Sequence, residues 1–201
     1  MRRLIVLGIL AVAMAMCGQA APPACVNGTL ASYIALGTVG CSVGSVTFAN
    51  FSYAAKSSGG APKIPASKII LSPSFQVPST GGFMFAAMWG VKQGQTQESI
   101  IKYTAVGNAT SSGELMLALG THAVGAGGDV NVNETTTAGK LQVYENCMTT
   151  TGCKSVTSAS VPFVPSSTVL AVTDDIKLST LGGSATLGGY TAQVNFCAPC
   201  V

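Results

Sequence analysis

A short motif, Gly40-Cys-Ser-Val-Gly44, has the spacing of the nucleophile elbow of serine hydrolases. In that interpretation Ser42 is the nucleophile and His122, the only histidine of the chain, is the base. Glu98 or Glu114 would supply the acid that orients the base.

The surroundings of this motif argue against catalysis. An elbow works because a strand turns sharply into a helix and presents the hydroxyl beside backbone donors. Residues 46–53 instead have the pattern of a strand, and Cys41 is expected to form a disulfide. We therefore predict no catalytic residues and a protein that is not an enzyme, with a hydrolase as an alternative.

A second chemical motif is the pair in Cys197-Ala-Pro-Cys200, which has the spacing of a thioredoxin-type redox site. A reactive pair of this kind needs a helix after the first thiol, because the helix dipole stabilises the thiolate. Only Val201 follows in this sequence. We expect a disulfide between Cys197 and Cys200, or pairing with another chain.

Acidic residues offer a weak calcium site. Asp174 and Asp175 are adjacent, so on a strand they point to opposite faces, and one of them could face an ion. Asp129 and Glu134 could add oxygen ligands. Two acids at the end of a strand are the simpler interpretation, so we predict no cofactor, with calcium as a low expectation.

Exposed aromatic rings would be needed to bind a sugar. Trp89 lies in an apolar run and is expected to be buried. The possible ligand contacts are therefore tyrosines, above all Tyr103 and Tyr144.

The N-terminus has the features of a signal peptide. Arg2 and Arg3 precede an apolar run over residues 4–16, and small residues follow, so we predict that residues 1–20 are removed on export. The run is shorter than the roughly 20 apolar residues that span a bilayer, and no later segment predicts a membrane anchor. We expect residues 21–201 to form a single secreted domain.

Export makes disulfides the expected state of the cysteines. Removing the leader takes Cys17 away and leaves an even number. Clustering favours local pairs, although sequence alone does not choose among the connectivities. The proposed pairs are Cys25–Cys41, Cys147–Cys153 and Cys197–Cys200.

The elements that carry these residues are mostly strands. Charged residues make up only 8% of the chain, and Gly, Ser, Thr and Val are abundant, as in many short strands joined by turns. Residues 83–91 are apolar on both faces, so they predict a strand covered on both sides. One helix is expected after the cap Thr29, ending at Gly37. The prediction is an all-β, antiparallel, jelly-roll-like β-sandwich with one short N-terminal helix.

Charge excludes one class of partner. The two arginines belong to the leader, and the eight lysines that remain are scattered singly along the chain. Such scatter predicts no basic patch, and hence no nucleic acid as a partner.

The segment from Cys25 to Tyr53, with Thr29, Tyr33, Gly37 and Cys41 between them, resembles secreted bacterial ectodomains that usually end in a PEP-CTERM sorting tail. The likeness continues through Trp89, residues 99–103, Asp175, residues 185–187 and Phe196. It implies an extracytoplasmic β-sandwich of surface-living, exopolysaccharide-producing bacteria, and it implies no enzymatic activity. The sorting tail itself is replaced by Cys197-Ala-Pro-Cys200-Val201.

These observations together predict a secreted, non-enzymatic protein with a structural or adhesive role at the cell surface or in the extracellular matrix. The first alternative is an exopolysaccharide-binding module, and the second is a subunit that assembles with copies of itself. After removal of the signal peptide no contact with a membrane is expected.

Overall fold

The computed structural model describes residues 21–74, 80–107, 112–147, 152–164 and 168–196. The predicted signal peptide, residues 1–20, and the predicted pair Cys197 and Cys200 lie outside these residues. No helix in the described ranges is both long enough and apolar enough to cross a lipid bilayer.

Strands dominate the described part of the chain. In chain order the first elements are β1 (Gly28–Thr29), α1 (Leu30–Ala35), β2 (Cys41–Val43), β3 (Val46–Ser58), a 3-10 helix (Ala66–Lys68), β4 (Ile70–Ser74), β5 (Thr80–Lys92) and β6 (Thr96–Val106). They are followed by β7 (Gly113–Leu119), β8 (His122–Val124), β9 (Gly128–Thr136), β10 (Lys140–Asn146), β11 (Lys154–Val156), β12 (Ser158–Phe163), β13 (Val169–Thr180) and β14 (Ser184–Asn195).

These strands form two seven-stranded antiparallel sheets. Sheet I has the order β11-β10-β9-β13-β6-β3-β2. Sheet II has the order β1-β4-β5-β14-β7-β12, and β8 also pairs with β14. The prediction of an all-β, antiparallel, jelly-roll-like sandwich is confirmed.

The predicted N-terminal helix is also confirmed. The Thr29 hydroxyl accepts a hydrogen bond from the Ser32 N–H at 3.2 Å, as an N-cap should. Gly37, with a φ of 57°, follows the helix in the left-handed conformation that ends it. The helix places Tyr33 against the sandwich, with ring centroids 5.2 Å from both Phe51 and Phe83.

Aromatic rings from both sheets fill the space between them. Phe48 of sheet I and Phe83 of sheet II have centroids 4.8 Å apart. Within sheet II, Phe85 stacks on Tyr190 at 4.8 Å. The predicted burial of Trp89 is confirmed, and its indole N–H donates to the Ser99 hydroxyl across the sheets at 3.1 Å. The sandwich therefore has one continuous core.

The strand over residues 83–91 departs from its prediction. Its odd-numbered aromatic residues are buried, but Met84 is 47% exposed and Met88 is 92% exposed. The expectation of cover on both faces is wrong, because β5 lies inside a sheet whose outer side carries no second layer in the described residues. The first half of β14, residues 184–190, is a strand that the sequence analysis did not predict.

Two of the three predicted disulfides lie in the described residues, and both are formed. Cys25–Cys41 fixes the N-terminal segment along β2, the edge strand of sheet I. There the Cys25 N–H donates to the Ser42 carbonyl, and the Ser42 N–H donates to the Pro23 carbonyl, both at 2.8 Å. Cys147–Cys153 links the residue that follows β10 to the residue that precedes β11.

The entry into β2 gives a stability test at Gly40. Its φ is +64°, and a Cβ would lie 2.1 Å from the Phe48 carbonyl oxygen. We expect Gly40→Ala to lower the free energy of unfolding by about 3 kcal/mol or more, because strain and a backbone clash add. Chemical denaturation followed by tryptophan fluorescence would measure the change.

Gly37→Ala is the matched control for this prediction. Gly37 has a similar φ of +57°, but nothing lies within 4 Å of the position of its Cβ. Only the conformational cost of about 1–2 kcal/mol remains there. Equal losses in the two variants would contradict the predicted clash.

Candidate functional site: the outer face of sheet I

Alternation divides the long strands of sheet I between the core and the surface, apart from an irregularity in β3 between Ala49 and Ser52. In β13, for example, Val172, Asp174 and Ile176 are buried, whereas Lys177 is exposed. Strand register then aligns the outward residues of neighbouring strands in rows. We call this surface the outer face of sheet I.

Four rows define the outer face. The first is Ser58, Thr96, Ser179, Asp129, Asn146 and Lys154, and the second is Lys56, Glu98, Lys177, Asn131, Tyr144 and Val156. The third is Ala54, Ile100, Asp175, Asn133 and Gln142, and the fourth is Ser52, Lys102, Thr173, Thr135 and Lys140.

The face collects lysines that are far apart in sequence. Five of the chain's eight lysines lie on it: Lys56, Lys102, Lys140, Lys154 and Lys177. The lysines are scattered in sequence, but strand pairing brings five of them to the same face, still separated from one another. Three carboxylates share the face, which leaves a surplus of two positive charges.

Tyr144 and Tyr103, the two tyrosines predicted to contact a ligand, lie in different places. Tyr144 is partly exposed on the outer face, in register between Asn131 and Val156. Tyr103 is only 3% exposed and stacks on Phe51 in the core, with centroids 5.3 Å apart. The prediction is wrong for Tyr103, because its strand position turns the ring inward; for Tyr144 it stays a prediction.

Two oxygens on the outer face have no hydrogen-bond donor from the described protein. They are Asn131 Oδ1 and Asp175 Oδ1, and each is buried among its neighbours. Partial burial and the nearby Glu98 carboxylate raise the pKa of Asp175, and Lys177 and Lys56 oppose that rise. Buried acceptors in native proteins are nearly always paired, so these two oxygens indicate a missing donor.

The other carboxylate on the face with a shifted pKa, Asp129, has a hydrogen-bond partner. Asp129 Oδ1 accepts a hydrogen bond from Asn146 Nδ2 at 2.8 Å. Burial raises the pKa of Asp129, and the Asn146 bond and Lys177 partly offset the rise.

The acids proposed for calcium do not form one group. Asp174 points into the core, and Asp175 points to the outer face. Asp129 is in register with Ser179, four residues along β13 from Asp175, which is about 13 Å. The predicted grouping of Asp129 with Asp174 or Asp175 is therefore wrong, because the pleat and the register separate them.

Glu134 does meet Asp174, inside the sandwich. The two residues are directly opposite each other on β9 and β13, and both are at most 1% exposed. Tyr190 donates its hydroxyl to Asp174 Oδ2 at 2.9 Å, whereas Asp174 Oδ1 and both Glu134 oxygens have no partner in the described residues. Burial raises the pKa of Asp174 to about 7, and the Tyr190 bond lowers it in part. Burial, followed by the Asp174 charge, raises the pKa of Glu134 well above its usual range.

The residues of the hydrolase alternative are far apart. Ser42 lies on β2 at one edge of sheet I, and its hydroxyl faces the Pro23 carbonyl at 3.4 Å. His122 contacts Glu145 of β10, with Nε2 and Oε2 3.0 Å apart. Five strand spacings, about 24 Å, separate β10 from β2. Ser42 and His122 therefore do not form a nucleophile–base pair.

A groove lies on the outer side of sheet II. Its volume is about 410 Å³, and it runs between β12, β7 and β14. Met116 and Ala118 form its floor with Thr191 and Gln193. No aromatic ring lines it, and the Gln193 amide already donates to the Ser74 hydroxyl at 2.9 Å. The outer face of sheet I is therefore the better candidate.

No protein-family model and no curated protein matches the chain. Solved structures resemble it remotely. TmCBM61 in complex with beta-1,4-galactotriose is 7% identical, with a TM-score of 0.33 over 70% of this chain and 86% of that one. The enzymatically active domain of bacteriophage CBA120 tailspike protein 4 is 12% identical, with a TM-score of 0.29 over 70% of this chain and 19% of that one.

A third similar structure belongs to carbohydrate-binding modules of the beta-sandwich superfamily with promiscuous specificity. It is 9% identical, with a TM-score of 0.23 over 77% of this chain and 56% of that one. At this level of similarity the comparison does not indicate what the chain binds.

The buried acid pair predicts an unusual dependence of stability on pH. The pKa of Asp174 is raised from 3.8 to about 7, so the folded protein holds its proton more tightly than the unfolded chain does. The stabilisation is fully present below about pH 4 and is lost as the pH rises through about 7. We expect Asp174→Asn to flatten this decline and to raise the free energy of unfolding at pH 8 by a few kcal/mol, on the order of the pKa shift.

Denaturation midpoints between pH 4 and pH 8 would measure this effect. Asp175→Asn is the matched control, because Asp175 is one residue away and only partly buried on the outer face, so removing its charge should change the pH dependence of stability less than Asp174→Asn does. The predicted role of Asp174 would be contradicted if the denaturation midpoint of Asp174→Asn fell with pH as steeply as that of the wild-type protein.

Proposed function

We propose that this protein is an extracytoplasmic glycan-binding domain whose ligand lies across the outer face of sheet I. The observation that carries the proposal is the pair of unpaired acceptor oxygens, Asn131 Oδ1 and Asp175 Oδ1, on the same face as the partly exposed ring of Tyr144, which is directly in register with Asn131. Glycan binding, an alternative in the sequence analysis, is the function that this face supports better than a purely structural role.

The chemistry of the face suits sugars. Sugar hydroxyls donate hydrogen bonds, which is what the oxygens of Asn131 and Asp175 lack. Amide and carboxylate side chains recur in the third row at Asp175, Asn133 and Gln142. The Tyr144 ring offers an apolar surface with a polar tip, on which the C–H side of a pyranose can pack.

The ligand must displace surface side chains to reach the two oxygens, since both are covered. Lys177 is in register with Asn131 and two residues from Asp175, and its side chain is exposed. A long exposed side chain changes rotamer at low cost, so Lys177 can move aside for a bound sugar.

Location and biological role belong to the same proposal. Two formed disulfides are compatible with an oxidising compartment outside the cytoplasm. A glycan-binding domain in that compartment would serve adhesion to a cell surface or matrix. The resemblance to PEP-CTERM-type ectodomains fits this role and is proposed with it.

Tyr144→Ala tests the proposed face directly. We expect it to weaken binding to an immobilised polysaccharide panel about five- to tenfold, because the stacking surface contributes about 1 kcal/mol. Affinity electrophoresis of the full chain would measure the change. Tyr144→Phe should keep the affinity, and Met84→Ala, an exposed site on sheet II, should leave it unchanged. Equal loss in Met84→Ala would contradict the assignment.

Asn131→Ala separates binding from folding. Removing a side chain whose oxygen has no protein partner should change the free energy of unfolding by less than about 1 kcal/mol. Binding should weaken by a similar factor to that of Tyr144→Ala. A destabilised variant with unchanged affinity would assign Asn131 a structural role instead.

A further inference from the structure

The spacing of the lysines on the outer face of sheet I indicates the class of glycan that the face would bind. Lys56 and Lys177 lie in the same row with Glu98 between them, two strand spacings or about 10 Å apart. Lys102 and Lys140 lie in another row, three spacings or about 14 Å apart. The two rows are four residues, or about 13 Å, apart along the strands.

These four lysines therefore frame the face instead of meeting at one point. The third row, with Asp175, Asn133 and Gln142, runs through the middle of the frame. A compact anion such as phosphate would contact one lysine at a time. An extended chain with charges at intervals can contact several lysines while its neutral parts lie over the amides.

The lysines are also available. Lys102, Lys140 and Lys177 are exposed and form no ion pair within the described residues. Lys56 pairs with Glu98 at 3.3 Å, and the Lys56 side chain is 71% exposed. An exposed pair of this kind contributes little to stability, so a carboxylate on a ligand can take the place of Glu98.

We propose that the glycan bound at this face is an anionic polysaccharide that carries carboxylates at intervals along an extended chain. This inference rests on the proposed function and names its ligand class. The surplus of two positive charges on the face favours a polyanion over a neutral polymer, and the isolated lysines match carboxylates that are spaced apart.

The composition of the face disfavours nucleic acid. The sequence contains arginine only at Arg2 and Arg3, so the face has no guanidinium group to bind a phosphate through two hydrogen bonds.

The test compares polyuronates with their uncharged counterparts. The full chain is titrated with polygalacturonate, alginate and hyaluronate, each against its carboxyl-reduced form, which keeps the backbone and removes the charge. At low ionic strength we expect at least one acidic form to bind at least about tenfold more tightly than its reduced form. The preference should disappear near 1 M salt, where the screening length is about 3 Å.

Two triple variants locate the effect. Lys56→Gln with Lys102→Gln and Lys177→Gln removes three charges from the outer face. Lys63→Gln with Lys68→Gln and Lys92→Gln removes three charges elsewhere, so the net charge is the same in both proteins. We expect the first variant to lose the preference for the acidic polymer and the second to keep it.

Several outcomes would overturn the inference. It fails if every reduced polymer binds as tightly as its acidic form, if both triple variants lose the preference equally, or if duplex DNA competes more strongly than every polyuronate. Binding of neutral glycans alone would overturn the anionic ligand but leave the proposed function standing. Binding of no glycan at all would overturn both.

Discussion

A layer of aromatic rings sets the separation of the two sheets and thereby decides which side chains reach the surface. Phe83 is at its centre, in contact with Phe48 from the opposite sheet and with Tyr33 from the helix. Once these rings point inward, the pleat fixes the direction of every other side chain on the same strands. The outer face of sheet I is therefore a product of core packing, although none of its residues belongs to the core.

Hydrogen bonds between polar groups inside the sandwich also link the two sheets. They fix the relative position of the sheets more specifically than contacts between aromatic rings alone would. The Ser99 hydroxyl accepts from the Trp89 indole and contacts the Tyr53 hydroxyl at 3.0 Å. In a second hydrogen bond between the sheets, the Tyr190 hydroxyl of sheet II donates to the Asp174 carboxylate of sheet I. Removing solvent from the Asp174 carboxylate is costly and favours the protonated acid, whereas the hydrogen bond from Tyr190 partly favours the ionised form.

The sequence predicted the fold class well because its signals are local. Thr29 and Gly37 bound the helix with short-range chemistry, and the paired cysteines lie close together along the chain. The candidate site was harder to predict from sequence, because it depends on which strands pair and in what register. Tyr103 and Tyr144 look alike in sequence, and only their strand neighbours distinguish them: Ile101 and Ala105 share the core with Tyr103, whereas Gln142 lies outside with Tyr144.

The lysines of the outer face show why a site built by long-range strand pairing is difficult to predict from sequence. Lys56 and Lys177 are separated by more than half the chain, and no local pattern brings them together. The side of the strand on which Lys177 lies could nevertheless be predicted from sequence, because it stands between the apolar residues Ile176 and Leu178, which are buried. What no single strand reveals is that β3, β6 and β13 lie side by side, so that these residues become neighbours.

Alternation also constrains how such a chain can change over evolutionary time. Insertion of one residue within β13 would exchange the two sides of part of the strand, sending Lys177 into the interior and lifting Ile176 into water. Length changes are therefore tolerated in turns, in pairs of residues within a strand, or where a bulge absorbs the extra residue, as the register shift between Ala49 and Ser52 of β3 illustrates. Among descendants of this gene, the surface could acquire new specificities by substitution while its strands keep their lengths.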